Sequence, residues 1–207
     1  MEASPYSIKM MKALANFLFE VGMLKNTPRS GFQFLGSGAE SVAEHSFRTA
    51  VIGYALSLQE PGADPMKILL MCLFHDLHEA RTGDQNYMNK RYVHVEEDQA
   101  TRDLARDLPF GDTILSLARE FLDNHSVEAG ISRDADQLDL ILALKEQLDL
   151  GNPYARDWLH YALKRLRTEG AKKLAREIME TDSADWWFEK KTEWWVNGPE
   201  NARKLEK

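Results

Sequence analysis

Phe74-His75-Asp76-Leu77-His78-Glu79 sets a histidine and an aspartate side by side, directly after the apolar run Ile68-Leu69-Leu70-Met71-Cys72-Leu73. Ionisable groups embedded in an apolar segment are costly unless they are paired or bound to a metal. On a regular helix His75 and Glu79, four apart, share a face, whereas Asp76 and His78 point elsewhere. Imidazole with carboxylate is a ligand set for Mg, Mn, Fe, Co or Zn, depending on geometry. Two residues do not complete such a site, so its partners must come from other segments. His45, in the first turn of a second helix, and Asp136, on a third, qualify. Together His45, His75, Asp76 and Asp136 offer two neutral imidazoles and two carboxylates, which neutralise a divalent cation and leave positions for water and a phosphate oxygen. Glu79 and Asp84 are the remaining carboxylates beside the His-Asp helix, suited to general acid-base work. Lys90 and Arg91, adjacent cations in the segment that follows, could hold a phosphate.

The elements that position these residues read as helices. Ile8, Met11, Leu14, Ala15, Leu18 and Val21 repeat at helical spacing, predicting a helix over Tyr6 to Met23. Thr27 to Phe32 is a turn-rich connection carrying Arg29. Ser41-Val42-Ala43-Glu44 is a capping box, opening a helix with His45 in its first turn and Ala43, Phe47, Val51, Tyr54 (or Ala55) and Leu58 as its apolar stripe. Asp64 and Pro65 are the start signals of the helix that carries the His-Asp pair, expected to run to about Arg81 and to stop at Gly83. Gln85 to Val95 has no period. Further helices are predicted over Glu96 to Leu108, from Asp112 to Asn124, from Ser132 with Ala135, Leu138, Ile141, Leu142 and Leu148 inward, over Tyr154 to Thr168 with Trp158, Tyr161, Ala162, Leu163 and Leu166, and over Ala171 to Met179. No stretch alternates as a strand does, so the fold class is all-α.

With 207 residues the chain makes one domain, residues 1–180, with an aromatic-rich extension over 181–207 that packs on the domain or on a partner subunit. A net charge of −7 argues against binding a nucleic acid polymer, which calls for a basic surface. A small anionic ligand needs only one or two local cations. No apolar run approaches the roughly 18 residues of a membrane span, and the single cysteine, Cys72, fits a reducing compartment. The expectation is a cytoplasmic protein with a small-molecule substrate and no membrane partner. Trp186-Trp187-Phe188 and Trp194-Trp195 suggest a docking or dimer patch, hence a homodimer.

The order His45, His75-Asp76, Asp136 resembles the HD-domain metal-dependent phosphohydrolases, and among them the 5′-deoxynucleotidase-like branch. The matching text is Pro28-Arg29-Ser30-Gly31-Phe32, Glu40-Ser41-Val42-Ala43-Glu44-His45-Ser46, Phe74 to Ala80, Thr82-Gly83-Asp84, Asp134 to Leu138 and Gly151-Asn152. The likeness covers roughly residues 5 to 180. It implies an HD-domain helical bundle and a divalent cation (Mn, Co, Mg, Fe or Zn) on His45, His75, Asp76 and Asp136. It also implies that Glu79 and Asp84 flank the attacking water. Arg29 would lie near the phosphate and sugar, with Phe32 close to the position of an aromatic that the family sets beside its arginine. That neighbourhood helps the family to reject a ribose 2′-hydroxyl.

The implied reaction is release of phosphate from deoxyribo- or ribonucleoside 5′-monophosphates. Two departures touch substrate loops. Ser30-Gly31 separate Arg29 from Phe32, and Gln85-Asn86-Tyr87-Met88-Asn89-Lys90 stands where the family carries a proline-containing loop and a lysine. Other readings stay open: nucleotide pyrophosphate or phosphodiester cleavage, or an HD-like module that binds nucleotide without turnover. A two-metal iron oxygenase would need further histidines in His-His or His-x-x-His settings, which neither His94 nor His125 has.

Overall fold

Side-chain caps fix where half of the described α-helices begin. In the computed structural model, which describes residues 7–188 together with Trp195 and Gly198, Ser7 accepts from Met10 N at 3.2 Å and starts α1, Ile8–Met23. A short α2 follows, Phe32–Leu35. Ser41 and Glu44 form the expected capping box of α3, Val42–Ser57. Asp64 caps α4, Pro65–Phe74, through Met66 N and Lys67 N. A one-turn α5, Glu79–Thr82, precedes α6, Glu97–Ala105, and α7, Gly111–Asp123. Ser126 caps α8, Val127–Asp149. The hairpin partner α9, Tyr154–Leu163, and α10, Glu169–Glu180, complete the bundle. Caps of this kind are each worth about 1 kcal/mol. The sole β-type pairing among the described residues is a bridge between Pro28 and Ser41.

Several boundaries differ from the sequence reading. The start of α1 at Tyr6 lies outside the described residues. The helix expected to run through the His-Asp pair ends at Phe74, and tighter turns carry the chain on, with Leu77 N bonded to Phe74 O and Glu79 N to Asp76 O. α7 opens without a side-chain cap, and Asp112 sits in its first turn, where the helix dipole favours a carboxylate. α8 starts five residues before Ser132, because Ser126 supplies the cap and Gly130 is tolerated inside the helix. α9 ends at Leu163, since Thr168 caps α10, which places Gly170 within the first turn of α10.

The inward face of α3 is the largest correction. Phe47 is 69% exposed and Leu58 66%, and Val51 and Tyr54 are exposed as well. The buried face is Val42, His45, Ser46, Thr49, Ala50, Ile52, Gly53 and Leu56. Small and polar residues face inward here because the neighbouring helices come very close. A Cβ on Gly53 would lie 2.6 Å from Cys72 Sγ and 3.1 Å from Ile68, so this glycine permits the α3–α4 contact. α1 shifts similarly, with Phe17 buried while Ile8, Met11 and Leu18 are exposed. Tyr161 of α9 is also exposed. On α8 the expected Ala135, Leu138 and Ile141 are fully buried, and Leu142 and Leu148 pack against the same core.

That core joins α3, α4 and α8, which pack on one another and carry the candidate ligands. Cys72 lies within it, and burial pushes its thiol up to about 12, as expected of an inert core cysteine. Asp134, in the same stretch of α8 as Asp136, is buried for a structural reason: it accepts from Arg167 N at 2.9 Å and Thr168 N at 2.7 Å, tying α8 to the start of α10. Of the aromatic extension, Trp186 is exposed and Trp187, Phe188 and Trp195 form a ring cluster. Trp194 lies outside the described residues. No helix among the described residues is long and apolar enough to cross a membrane.

Candidate metal centre and active-site pocket

His45 projects from the first turn of α3 and is fully buried. Its Nδ1 lies 2.6 Å from Asp139 Oδ2, which leaves Nε2 facing the ends of α4 and α8. His75, at the C-terminus of α4, is held in the same way, with Nδ1 donating to Cys72 O at 2.8 Å. An imidazole anchored through one nitrogen presents the other with a defined lone pair. The two Nε2 atoms are 3.4 Å apart. Asp136 Oδ1 is 3.3 Å from His45 Nε2, and Asp76 Oδ2 is 3.5 Å from His45 Nε2 and 3.2 Å from His75 Nε2. Cation–ligand bonds of about 2.1 Å in a tetrahedron put ligand atoms about 3.4 Å apart. His45, His75 and Asp76, whose ligand atoms all lie within 4.8 Å of one another, therefore fit a divalent cation, while Asp136 reaches His45 but stands outside that mutual spacing. Asp76, which a regular helix would turn away, reaches the cluster because the helix tightens after Phe74.

Charge favours a cation as well. Burial alone would keep His45 neutral, but bonds from Asp136 and Asp139 raise it to about 10. The same contest between burial and Asp76 raises His75, and the imidazoles in turn hold Asp76 and Asp136 below the usual carboxylate range despite burial. Without a cation, a proton on His45 serves as the counter-charge. Glu79 goes the other way. Burial, then the Asp76 and Asp84 carboxylates, push it up to about 9, and its buried Oε2 has no hydrogen-bond partner among the described residues.

Arg29 closes one side of the cluster. Arg29 N bonds Glu40 O and Val42 N bonds Thr27 O, so the strand-like pairing around Pro28 clamps this arginine to the start of α3. Its Nη1 is 3.4 Å from both Asp76 and Asp84. Burial opposes its charge, yet Asp76, Asp136, Asp84 and Glu79 outweigh burial and raise its pKa. Gly83, at φ 71°, in a region that L side chains avoid, turns the chain back so that Asp84 reaches Ser30. Asp84 Oδ2 accepts from Ser30 N at 2.7 Å and Ser30 Oγ at 2.6 Å.

A pocket opens on the cluster, and Arg29, Phe32, Asp76, Glu79, Asp84, Lys90 and Asp136 line it. Arg91, expected beside Lys90 as a phosphate ligand, is exposed and does not line the pocket, whereas Lys90, also exposed, reaches the pocket rim from the turn at Asn89–Arg91. His94 pairs with Glu96 at the surface, and His125 borders a separate groove with Asp112 and Glu120.

Sequence reasoning missed Ser30, Asp139 and Arg48. Arg48 donates to Asp139 Oδ1 through Nε, to Glu146 at 2.7 Å and to Glu40 at 3.1 Å, so Asp139 is bonded through both oxygens. Asp139 was detectable as a carboxylate three residues after Asp136, in the apolar text Leu138-Asp139-Leu140-Ile141.

Comparison with known proteins agrees with this geometry. The family described as HD domain matches residues 21–179. The chain belongs to the HD domain family. It is similar to the 5′-deoxynucleotidase HDDC2 of Bos taurus, 30% identical over 149 residues, which span 69% of this chain and 72% of the relative. A 5′-deoxynucleotidase of Erwinia tasmaniensis is 31% identical over 128 residues, 55% of this chain and 64% of the relative. Among solved structures, the PH0347 protein from Pyrococcus horikoshii OT3 superposes with a TM-score of 0.68 at 29% identity, covering 80% of this chain and 98% of that one.

Proposed function

We propose that this HD-domain protein is a divalent-metal-dependent phosphohydrolase that releases phosphate from nucleoside 5′-monophosphates, with deoxyribonucleotides preferred. The observation that carries this reading is the cluster of His45 Nε2, His75 Nε2 and Asp76 Oδ2, spaced 3.2–3.5 Å apart, with Asp136 Oδ1 3.3 Å from His45 Nε2, beside the buried Glu79 carboxyl and the partly buried Arg29 guanidinium. Its relatives named as 5′-deoxynucleotidases support the substrate class.

His45, His75, Asp76 and Asp136 would hold the cation, which supplies charge neutralisation at the phosphoryl oxygens and a more acidic water. Arg29 binds a phosphate oxygen and helps to orient the ester for in-line attack. Glu79, protonated at Oε2, donates to the 5′-oxygen as the P–O bond breaks. Water adds to phosphorus and its released proton restores the Glu79 carboxyl, and nucleoside and inorganic phosphate leave. Asp84 has its oxygens engaged by Ser30 and Arg29, so in this reading it positions the Arg29 corner rather than moving the proton itself. Lys90 adds a cation at the pocket wall. Lone buried Cys72 supports a cytoplasmic location. A homodimer would cover the outward stripe of α3.

Arg29→Ala is expected to lower kcat/KM for dAMP by about 10- to 100-fold, the range for losing a charge-assisted hydrogen bond. It should also flatten the preference for dAMP over AMP. Phosphate release from both nucleotides, with wild type and variant, tests this. An unchanged deoxy-to-ribo ratio would remove Arg29 from sugar selection, and equal wild-type rates would refute the deoxy preference.

Asp139→Asn keeps the shape but removes the charge that orients His45. Its expected effect is a 10- to 100-fold weaker cation affinity, the usual cost of losing such a partner. Competition against a chromophoric chelator measures this without turnover. Wild-type affinity in the variant would show that His45 is held adequately without this carboxylate.

A further inference from the structure

The wall of the pocket that faces away from the phosphate side is built from α8 and α9. Asp136, Gln137, Leu140, Ala143 and Leu144 all line the pocket. At 1.5 Å of rise per residue, α8 runs about 12 Å from the cation cluster at Asp136 to Leu144. Trp158 of α9 lines the same cavity, its indole 3.5 Å from where a Cβ on Gly31, two residues from Arg29, would lie. This side is therefore apolar and aromatic, and it begins where a phosphate on the cluster would end.

One polar group interrupts it. Gln137 Oε1 accepts from Arg165 Nη1 at 3.4 Å, and Arg165 in turn lies over the Tyr87 ring, 4.7 Å from its centroid. Arginine has no acceptor, so this bond fixes which end of the amide faces it. The other end, Nε2, is buried and has no partner among the described residues. Buried donors are almost always satisfied, and one left open beside a cavity calls for an acceptor from a ligand. The ligand that suits these surroundings has a flat apolar face and an edge that carries hydrogen-bond acceptors.

We propose that Gln137, Leu140 and Trp158 form a nucleobase subsite, with the base packed on Leu140 and Trp158 and the Gln137 amide donating to an acceptor on its edge. The proposal rests on the nucleotidase reading and adds which residues recognise the base. Tyr87 and Arg165, stacked on each other, would hold Gln137 in place. Every common base carries a carbonyl oxygen or ring nitrogen that could accept this bond, so the subsite would favour nucleotides as a class over base-free sugar phosphates.

Gln137→Glu preserves size and the contact with Arg165 while removing the donor; Trp158→Ala removes the stacking surface. Each is tested on dAMP and dCMP, and on deoxyribose 5-phosphate, which lacks a base. Both variants should lose about 10-fold or more in kcat/KM on the nucleotides, mainly through KM. Both should hydrolyse deoxyribose 5-phosphate at the wild-type kcat/KM. An equal loss on the base-free substrate, or no loss on the nucleotides, would overturn the subsite while leaving the nucleotidase reading intact. A wild-type protein that releases phosphate from no nucleotide would overturn both. Should Trp158→Ala fail to fold, Gln137→Glu alone decides between these outcomes.

Discussion

Asp76→Ala should lose bound metal and lower phosphate release by roughly three to four powers of ten, the scale of several kcal/mol of charge stabilisation. Asp76 is where the site converges. Its Oδ2 lies 3.5 Å from His45 Nε2, 3.2 Å from His75 Nε2 and 3.4 Å from Arg29 Nη1. Removing it would open the proposed cation shell and leave Arg29 with Asp84 as its remaining ion-pair partner. Stability should report the same event. At a cation concentration 100 times Kd, binding to the folded state alone adds about 2.7 kcal/mol, which for a chain of this size raises Tm by about 5–10 °C. Chelator should therefore lower the wild-type Tm by that amount and leave the variant unchanged. Full metal content and full turnover in Asp76→Ala would show that Asp76 is not a ligand.

Glu79→Gln should retain the metal, leave KM near its wild-type value and lower kcat by roughly two to four powers of ten, the range for a general acid or base. Glu79 is set apart from Asp84 by its surroundings. Asp84 is anchored by Ser30 and Arg29, whereas Glu79 Oε2 is buried without a partner and its carboxyl is raised to about 9. An acid of that kind is lost as pH rises through its folded value, so wild-type kcat should fall on the alkaline side. A bound cation favours the carboxylate and moves that fall below pH 9. The Gln variant should lack this limb. Stability gives an independent check on the metal-free protein. Between the ordinary 4.5 and the folded value of about 9, the native state holds the proton more tightly than the unfolded chain, so Glu79 makes stability fall as pH rises across that window. Glu79→Gln removes that slope and should melt higher than wild type at pH 8. A raised KM with kcat intact would make Glu79 a binding residue instead.

The helix positions of the candidate ligands were legible because their signals are local. The capping box fixed the start of α3 and with it the depth of His45, and the Asp64-Pro65 start fixed α4 up to His75. Asp136 was legible from its place in a long helix. The way Asp76 joins the cluster was not, because no glycine or proline in the text marks the tightening after Phe74. Periodicity failed on α3 for a related reason. Its large apolar residues face outward while Gly53, Thr49 and His45 face the core, so hydrophobicity alone selected the wrong side. The supports of the site were the least visible. Ser30 is an ordinary loop serine until Gly83 turns Asp84 onto it, and Arg48 reads as a surface cation until α8 brings Asp139, and Glu146 two turns further on, against it. Long-range partners of this kind carry no signature in linear sequence.

The most direct test is phosphate release from dAMP by protein first stripped with chelator and then titrated separately with Mn, Co, Mg, Fe and Zn ions. The expected result is background hydrolysis by the stripped protein and, with at least one of these cations, activity that rises to a plateau as the cluster fills with one ion per chain. Hydrolysis by the stripped protein at the untreated rate, or no release from dAMP with any of the five cations, would contradict a metal-dependent deoxynucleotidase.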